Sequence, residues 1–163
     1  MSPEATFWLF QLTAAACLAL WMIVAVVNNV QGFRASVGAV GVTMSMTLLK
    51  EAPLDKLPFH NRAVNNVAAH RVALIGVLVI QVASALALSV GTGLIAVQPF
   101  QYASEQAIGV LNMGLSAFVL CWCFMFIAGL WFGFWIKQEG LLLTQLLLAS
   151  WGLLSFLVFN MAR

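Results

Sequence analysis

The sequence predicts an all-α integral membrane protein, an antiparallel bundle of four transmembrane helices with a long, partly helical connection between helices one and two. Apolar residues make up 63% of the 163-residue chain, charged residues only 7%, and the mean hydropathy is +1.02. A soluble domain has roughly a quarter of its residues charged. Four unbroken apolar runs also reach the length of about 20 residues that a membrane helix needs. Unbroken runs exclude a β-barrel, whose strands would alternate between apolar and polar.

The four predicted spans cover about 7–27, 72–97, 107–136 and 141–161. The first ends at the polar stretch NNVQGFR, and the second opens after His70 and Arg71 and closes before Pro99. The chain begins without the basic segment and small-residue cleavage site of a signal peptide, so we expect the first run to be retained as an anchor. We therefore expect residues 1–163 to form one membrane domain.

The connection of about 28–71 is the predicted extramembrane region, and it carries five of the seven basic residues. Within it, 36–49 is apolar but too short and too rich in Ser, Thr and Gly to span a bilayer. We expect that segment to form a helix that lies on the membrane surface or packs on the bundle. The following KEAPLDKLPFHNR contains two prolines and predicts a loop.

The remaining connections, QPFQYASEQ and KQEG, are short, so consecutive helices are expected to be antiparallel neighbours. Small residues at four-residue spacing favour close helix contacts. We predict packing or partner contacts at five of them: Ala83, Ala87, Gly91, Gly129 and Gly133.

The basic residues are distributed unevenly among the connections. Six of the seven Lys and Arg residues lie in the first and third connections, and the middle connection has none. Because cytoplasmic loops are enriched in Lys and Arg, the charges place both chain ends outside.

The amides Gln81 and Asn112 lie inside predicted spans, where an interhelical hydrogen bond is the usual remedy for a polar group in hydrocarbon. No Asp, Glu, Lys or Arg lies in the interior of any predicted span. Ion-coupled transporters and proton relays usually need such groups, so their lack argues against an ion-coupled mechanism.

No metal, cofactor or catalytic site is predicted. His60 and His70 do not provide the facing histidines that a haem in a bundle needs, and His70 is expected at the membrane interface. Cys121 and Cys123 are separated by roughly 200° around a helix and cannot jointly hold one metal. Together with Cys17, they are interpreted as packing residues. The net charge of +2 is too small to indicate nucleic acid.

The stretch GLWFGFWIKQEG, 129–140, combines aromatic residues with sudden charge. It predicts an aromatic belt at the membrane interface, where Lys137 and Glu139 mark the exit to water. Four residues form this predicted belt: Trp131, Phe132, Phe134 and Trp135.

Several short motifs carry a resemblance to a known family. The octapeptide 128–135, AGLWFGFW, is similar to a family pattern Gly-Gly-Glu-Trp-Phe-x-Met-Trp, and Arg62, Ala63 and Val64 are similar to an Arg-Ala-Ile stretch before the second span. Asn28 or Asn29 matches an Asn that ends the first span. On these residues the chain resembles the bacterial predicted small integral membrane proteins of domain-of-unknown-function family 2165, which have four spans and about this length.

The departures from the family pattern are informative. The resemblance implies carboxylates where this chain has Gln81 and Leu130, and a Trp-Asn-Gly stretch after the third span is absent. If those acids serve a function in other members, this chain has lost it. The resemblance also implies an amino end inside, the reverse of what the charges imply, so the sidedness stays open.

The leading hypothesis is a non-catalytic accessory or stabilising subunit in a larger complex of the bacterial inner membrane, with a respiratory or other electron-transfer complex as one candidate. The expected partners are lipids and other membrane subunits or further copies of the chain. The alternative is a small homo-oligomeric channel or carrier whose polar path contains Gln81, Asn112 and the pair Asn28 and Asn29. A third class, a membrane enzyme using His60 and His70, rests on fewer candidate residues.

Overall fold

The structure, a computed structural model, describes residues 2–99 and 103–161, which form helices joined by turns and contain no strand. Four helices are long and apolar enough to cross a membrane. At 1.5 Å per residue, spans of 23 to 30 residues exceed the hydrocarbon thickness of about 30 Å. The predicted all-α, four-span class is confirmed. The five α-helices are α1 (Pro3–Gln31), α2 (Phe33–Met44), α3 (Val67–Ala96), α4 (Glu105–Trp131) and α5 (Glu139–Met161).

Polar caps set the starts of three spanning helices. The side chains of Ser2, Asn66 and Ser104 accept hydrogen bonds from backbone N–H groups in the first turns of α1, α3 and α4. Such a cap satisfies a backbone donor that has no partner within the helix. Because these caps lie outside the apolar runs, the helices begin earlier than the predicted spans.

The third span ends earlier than predicted. The sequence predicts a span to 136, whereas α4 stops at Trp131 and a short 3-10 helix, Phe134–Ile136, follows. Gly133 between them has φ +69°, a left-handed conformation that glycine adopts without steric cost. The apolar composition continues through this turn, and composition alone therefore did not reveal it.

The spanning helices pack in the spatial order α1, α3, α4, α5. The most extensive contact joins α3 to α4, followed by α1 with α3 and α4 with α5. Near the start of α1, Trp8 Nε1 donates to the carbonyl of Ile95 near the end of α3 (3.0 Å). Asn112, early in α4, bonds Asn160 at the end of α5. These end-to-start pairings are consistent with the antiparallel bundle.

The buried face of α3 follows a regular spacing. Its buried side chains recur in alternating steps of three and four residues at Leu74, Val77, Gln81, Ser84, Leu88, Gly91 and Ile95. This is the spacing of helices that cross at a shallow angle with interdigitated side chains. The predicted small-residue face differs from it, because Ala83 is exposed and Ala87 is only half-buried, whereas Gly91 is buried. Ala83 and Ala87 therefore do not form the main α3 contact.

Two glycines bring α3 and α4 together. A Cβ on Gly91 would lie 2.6 Å from Leu111 Cγ, and a Cβ on Gly114 would lie 2.8 Å from the backbone nitrogen of Leu88. The contact is thus reciprocal, with a leucine of each helix resting on a glycine of the other. Next to it, the buried Ser84 hydroxyl donates to the Gly114 carbonyl (2.9 Å). Such close approach maximises the dispersion contacts that hold helices together in lipid.

The connection after α1 folds onto the bundle. Helix α2 follows Gly32, packs against α3 and buries Val37 and Gly41. The remainder is formed by turns and short 3-10 helices at Thr47–Leu49, Leu54–Lys56 and His60–Arg62. Of the two predicted arrangements for the apolar segment, the structure thus shows packing on the bundle, and its helix begins before 36.

Gly114→Ala is expected to lower the free energy of unfolding by about 1–3 kcal/mol, because the new methyl group meets backbone that cannot yield easily. Gly109→Ala is the matched control, since a Cβ there meets nothing within 4 Å, and it should be neutral or slightly stabilising. Unfolding midpoints in detergent micelles measure the difference. Equal midpoints for the two variants would contradict the close contact.

Candidate functional site

The stretch 129–140 is where the connection docks on the bundle. Phe134 folds back over Gly129, whose Cβ position lies 2.8 Å from the Phe134 ring, and Phe134 also meets Phe126 edge to face. On the other side of the turn, Phe59 lies 2.9 Å from the Cβ position of Gly133. Both glycines therefore leave room for aromatic rings of this same chain.

An arginine fastens the connection to the end of α4. The guanidinium carbon of Arg62 lies 4.3 Å from the Trp131 ring centroid and 5.6 Å from that of Phe59. The same guanidinium donates a long hydrogen bond to the Trp131 carbonyl (3.4 Å). An exposed cation–π contact contributes about 0.5–1 kcal/mol. Arg62 and Trp131, which belong to separate motifs of the family resemblance, are thus in contact.

A second fastening holds α2 against α3. The His70 ring lies on Gly41, and His70 Nε2 donates to the Val64 carbonyl (2.8 Å), which can only accept. The Val64 N–H in turn donates to the Met44 carbonyl (2.8 Å). His70 is buried at 6% exposure, so it lies inside the α2–α3 contact.

A third fastening joins α2 to the turn between α4 and α5. The Thr43 hydroxyl donates to Gln138 Oε1 (3.1 Å). The connection is therefore held at both α3 and the α4–α5 turn, and it covers one end of the bundle as an ordered layer.

The histidines do not converge. His60 Nε2 donates to the Leu54 carbonyl (2.8 Å) inside the loop, while His70 bonds Val64. Within the described part of the chain, no three His, Cys, Asp or Glu side chains form a group that could hold a metal ion. The arrangement thus gives no support to the enzyme hypothesis that used both histidines.

Gln81 lies at the middle of α3, with 2% exposure, facing the bundle interior. The Asn29 side-chain amide donates to its Oε1 (3.0 Å) and thus links α1 to α3. The buried Cys121 of α4 lies next to the same side chain. Because Gln81 faces inward, it does not line a surface between copies, and the channel hypothesis loses its central residue. Asn28, the other member of the pair, is exposed.

Asn112 forms a paired amide contact with the last turn of α5. Its Nδ2 donates to Asn160 Oδ1 (2.9 Å), and Asn160 Nδ2 donates back to Asn112 Oδ1 (3.0 Å). This reciprocal pair occupies both polar atoms of Asn112. Asn160 was not singled out from the sequence, although an amide in an apolar helix was the available signal.

Among the residues that the structure describes, three buried side-chain polar atoms have no hydrogen-bond partner: Gln11 Oε1, Gln145 Oε1 and Trp122 Nε1. Gln11 on α1 and Gln145 on α5 are each 2% exposed, and neither was predicted as a contact residue from the sequence. Their signal was the same as that of Gln81, an amide within an apolar run. An unpaired polar group in hydrocarbon is costly, so these positions weaken the bundle locally.

The predicted aromatic belt divides into two groups. Trp131 and Trp135 are 56% and 50% exposed, as an interface belt requires. Phe134 is only 3% exposed and Phe132 is half-buried, because the turn at Gly133 directs the chain back toward the bundle. Phe134 is therefore a core residue that closes the end of α4.

The cysteines lie within the spans at three levels of burial. Cys17 is exposed on α1, Cys121 is buried beside Gln81, and Cys123 is half-buried. All three are free thiols. Only Cys121 and Cys123 fit the predicted packing role, because Cys17 faces outward.

The fold and these closed internal contacts define a small helical protein that crosses the membrane several times. The model of the family described as predicted small integral membrane protein, domain of unknown function 2165, matches residues 7–162. The chain belongs to this family, as its motifs predicted. No curated protein and no solved structure matches the chain significantly.

The two positions at which the resemblance implied carboxylates lie in different environments. Gln81 is buried and paired, whereas Leu130 is 39% exposed near the end of α4. They are on different helices and face different surroundings. A neutral amide at 81 is satisfied by Asn29 without the cost of a buried charge.

Arg62→Gln is expected to speed hydrogen exchange of the amides in 54–66 roughly fivefold, since about 1 kcal/mol of contact with Trp131 is lost. Arg62→Lys should have an intermediate effect, because an ammonium lacks the planar guanidinium face. Lys56→Gln, at an exposed neighbouring position, is the matched control and should leave exchange unchanged. Equal exchange rates in the Arg62 and Lys56 variants would show that the contact between Arg62 and Trp131 does not stabilise the connection.

Asn29→Leu and Gln81→Leu should each destabilise the bundle, and the double variant should lose less than the two single variants together. The expected coupling free energy is about 0.5–1.5 kcal/mol, the range of interhelical hydrogen bonds in membranes. A double-mutant cycle on unfolding midpoints measures it. Strict additivity would show that the two amides do not stabilise each other.

Proposed function

We propose that the protein is a non-catalytic accessory or stabilising subunit that packs against a larger complex of the bacterial inner membrane, such as a respiratory or other electron-transfer complex. The observation that supports this most directly is the interior of the bundle. Its hydrogen-bonded polar side chains, including Asn29 with Gln81 and Asn112 with Asn160, contact one another or backbone carbonyls within the chain. The interior thus stabilises the bundle.

The outer surface supports the same proposal. Charged side chains lie at the helix ends or in the connections, and the outward faces of the spans display large apolar residues. On α5, for example, Leu143, Leu146, Leu153 and Leu157 are exposed at steps of three, seven and four residues along the helix. A surface of this kind packs against lipid chains or against apolar helices of another subunit.

The proposed role also accounts for the ordered connection. A layer fastened through Arg62, His70 and Thr43 fixes the relative positions of α3, α4 and the α4–α5 turn. A subunit that stabilises a neighbour must keep its own helices in place, because contacts between preorganised surfaces cost less ordering free energy.

Isolation of the tagged full chain from its native membranes in mild detergent is expected to recover other membrane subunits in a fixed stoichiometry. Native mass spectrometry of the isolated species measures this stoichiometry. A tagged, unrelated four-span protein at the same expression level controls for nonspecific recovery. A lone monomer would count against the proposal. Homo-oligomers alone, together with ion flux in liposomes, would favour the self-assembling channel.

A further inference from the structure

The end of the bundle that carries the connection is basic. It holds all six described Lys and Arg residues, and each of these side chains is exposed: Arg34, Lys50, Lys56, Arg62, Arg71 and Lys137. The acidic residues at this end are fewer, namely Glu51, Asp55 and Glu139. At the opposite end, the described charged residues are Glu4 and Glu105. The fold therefore concentrates positive charge on one face.

These cations are not neutralised by the chain. Among residues 2–99 and 103–161, no basic side chain lies within 4.0 Å of a carboxylate. Lys50 donates to the neutral Asn65 side chain (3.3 Å), and Arg62 lies on the Trp131 ring. Contacts with neutral groups leave the positive charges free to attract anions.

The same end also has tryptophan side chains of the kind that concentrate in the headgroup layer of a membrane. Trp131 and Trp135 are half-exposed there, and tryptophan side chains concentrate at the membrane interface. Because Arg62 lies on Trp131, its charge is held at the depth of that ring. Arg71, in the second turn of α3, is exposed close to where this span enters the membrane.

We propose that this connection-bearing end faces the cytoplasm and binds the anionic phospholipid headgroups of that leaflet, with the start of α1 and the end of α5 on the opposite side. The attraction of Lys and Arg to an anionic surface amounts to roughly fivefold in affinity per residue. Connections of this length also follow the rule that Lys and Arg remain on the cytoplasmic side. The fold strengthens the charge argument because it gathers the connection and the α4–α5 turn into one layer.

The lipid contact is tested with the full chain in nanodiscs of phosphatidylglycerol and phosphatidylcholine in equal amounts. Native mass spectrometry of the released protein should show retained phosphatidylglycerol in excess. Replacing Arg34, Lys50, Lys56 and Lys137 by Gln should reduce this excess at least tenfold, at roughly fivefold per cation. Arg62 and Arg71 are kept, because they contact Trp131 or begin a span.

The matched control replaces Glu51, Asp55 and Glu139 by their amides, which should leave the excess unchanged or raise it. All substituted side chains are exposed, and equal unfolding midpoints verify that the variants fold. An equal excess of phosphatidylglycerol in the wild type and in the four-cation variant would overturn the proposal, as would no excess in the wild type.

The sidedness is tested with Asp55→Cys and Gln106→Cys, both at exposed positions, and a membrane-impermeant maleimide on spheroplasts. The wild type, whose cysteines all lie in spans, gives the background. Position 106 should be labelled in intact spheroplasts and position 55 only after permeabilisation. Labelling of position 55 in intact spheroplasts would overturn the orientation. This assay rests on the inner-membrane location proposed above, whereas the nanodisc assay does not.

Discussion

Hydrocarbon cannot form hydrogen bonds, and this property governs both the secondary structure and the helix pairing of this protein. It requires helices for every span, and it favours hydrogen bonds between two pairs of amides in the spans. Gln81 meets Asn29, and Asn112 meets Asn160. Because these pairs join different helices, the same constraint that selects the secondary structure also selects which helices lie side by side. The outer faces of the spans are left apolar, as contact with lipid chains requires.

Polar contacts alone do not bring helices together in lipid. The hydrophobic effect adds little there, because apolar side chains are as well solvated by lipid chains as by another helix. Close approach of backbones supplies the missing stabilisation through dispersion contacts. At the α3–α4 contact, Leu88 lies on Gly114 and Leu111 on Gly91, and Ser84 bonds the Gly114 carbonyl. Small residues therefore matter here through the space they leave, and the most extensive contact of the bundle forms where that space is filled from both sides.

The long connection shows how an interfacial segment becomes part of a membrane fold. It is fastened by Arg62 on Trp131, by His70 with Gly41, and by Thr43 with Gln138. These interactions join residues far apart in the chain, and together they hold the connection against one end of the bundle. The resulting basic layer and the apolar bundle face different environments. A membrane protein built this way combines a basic layer at one end with apolar outer faces along its spans.

The sequence alone predicts a membrane protein, its four spans and an interhelical hydrogen bond for Gln81, because each depends on local composition and on the properties of hydrocarbon. It did not determine which face of each helix is buried, since helices that are apolar all round carry little periodic signal. The four-residue spacing of Ala83 and Ala87 predicts a contact face, whereas within the bundle it is Ser84 and Leu88 that contact α4. The end of α4 at Trp131 and the inward turn of Phe134 were decided by the tertiary structure, because Gly133 adopts its left-handed conformation against Phe59 and Leu49, which are distant in the chain.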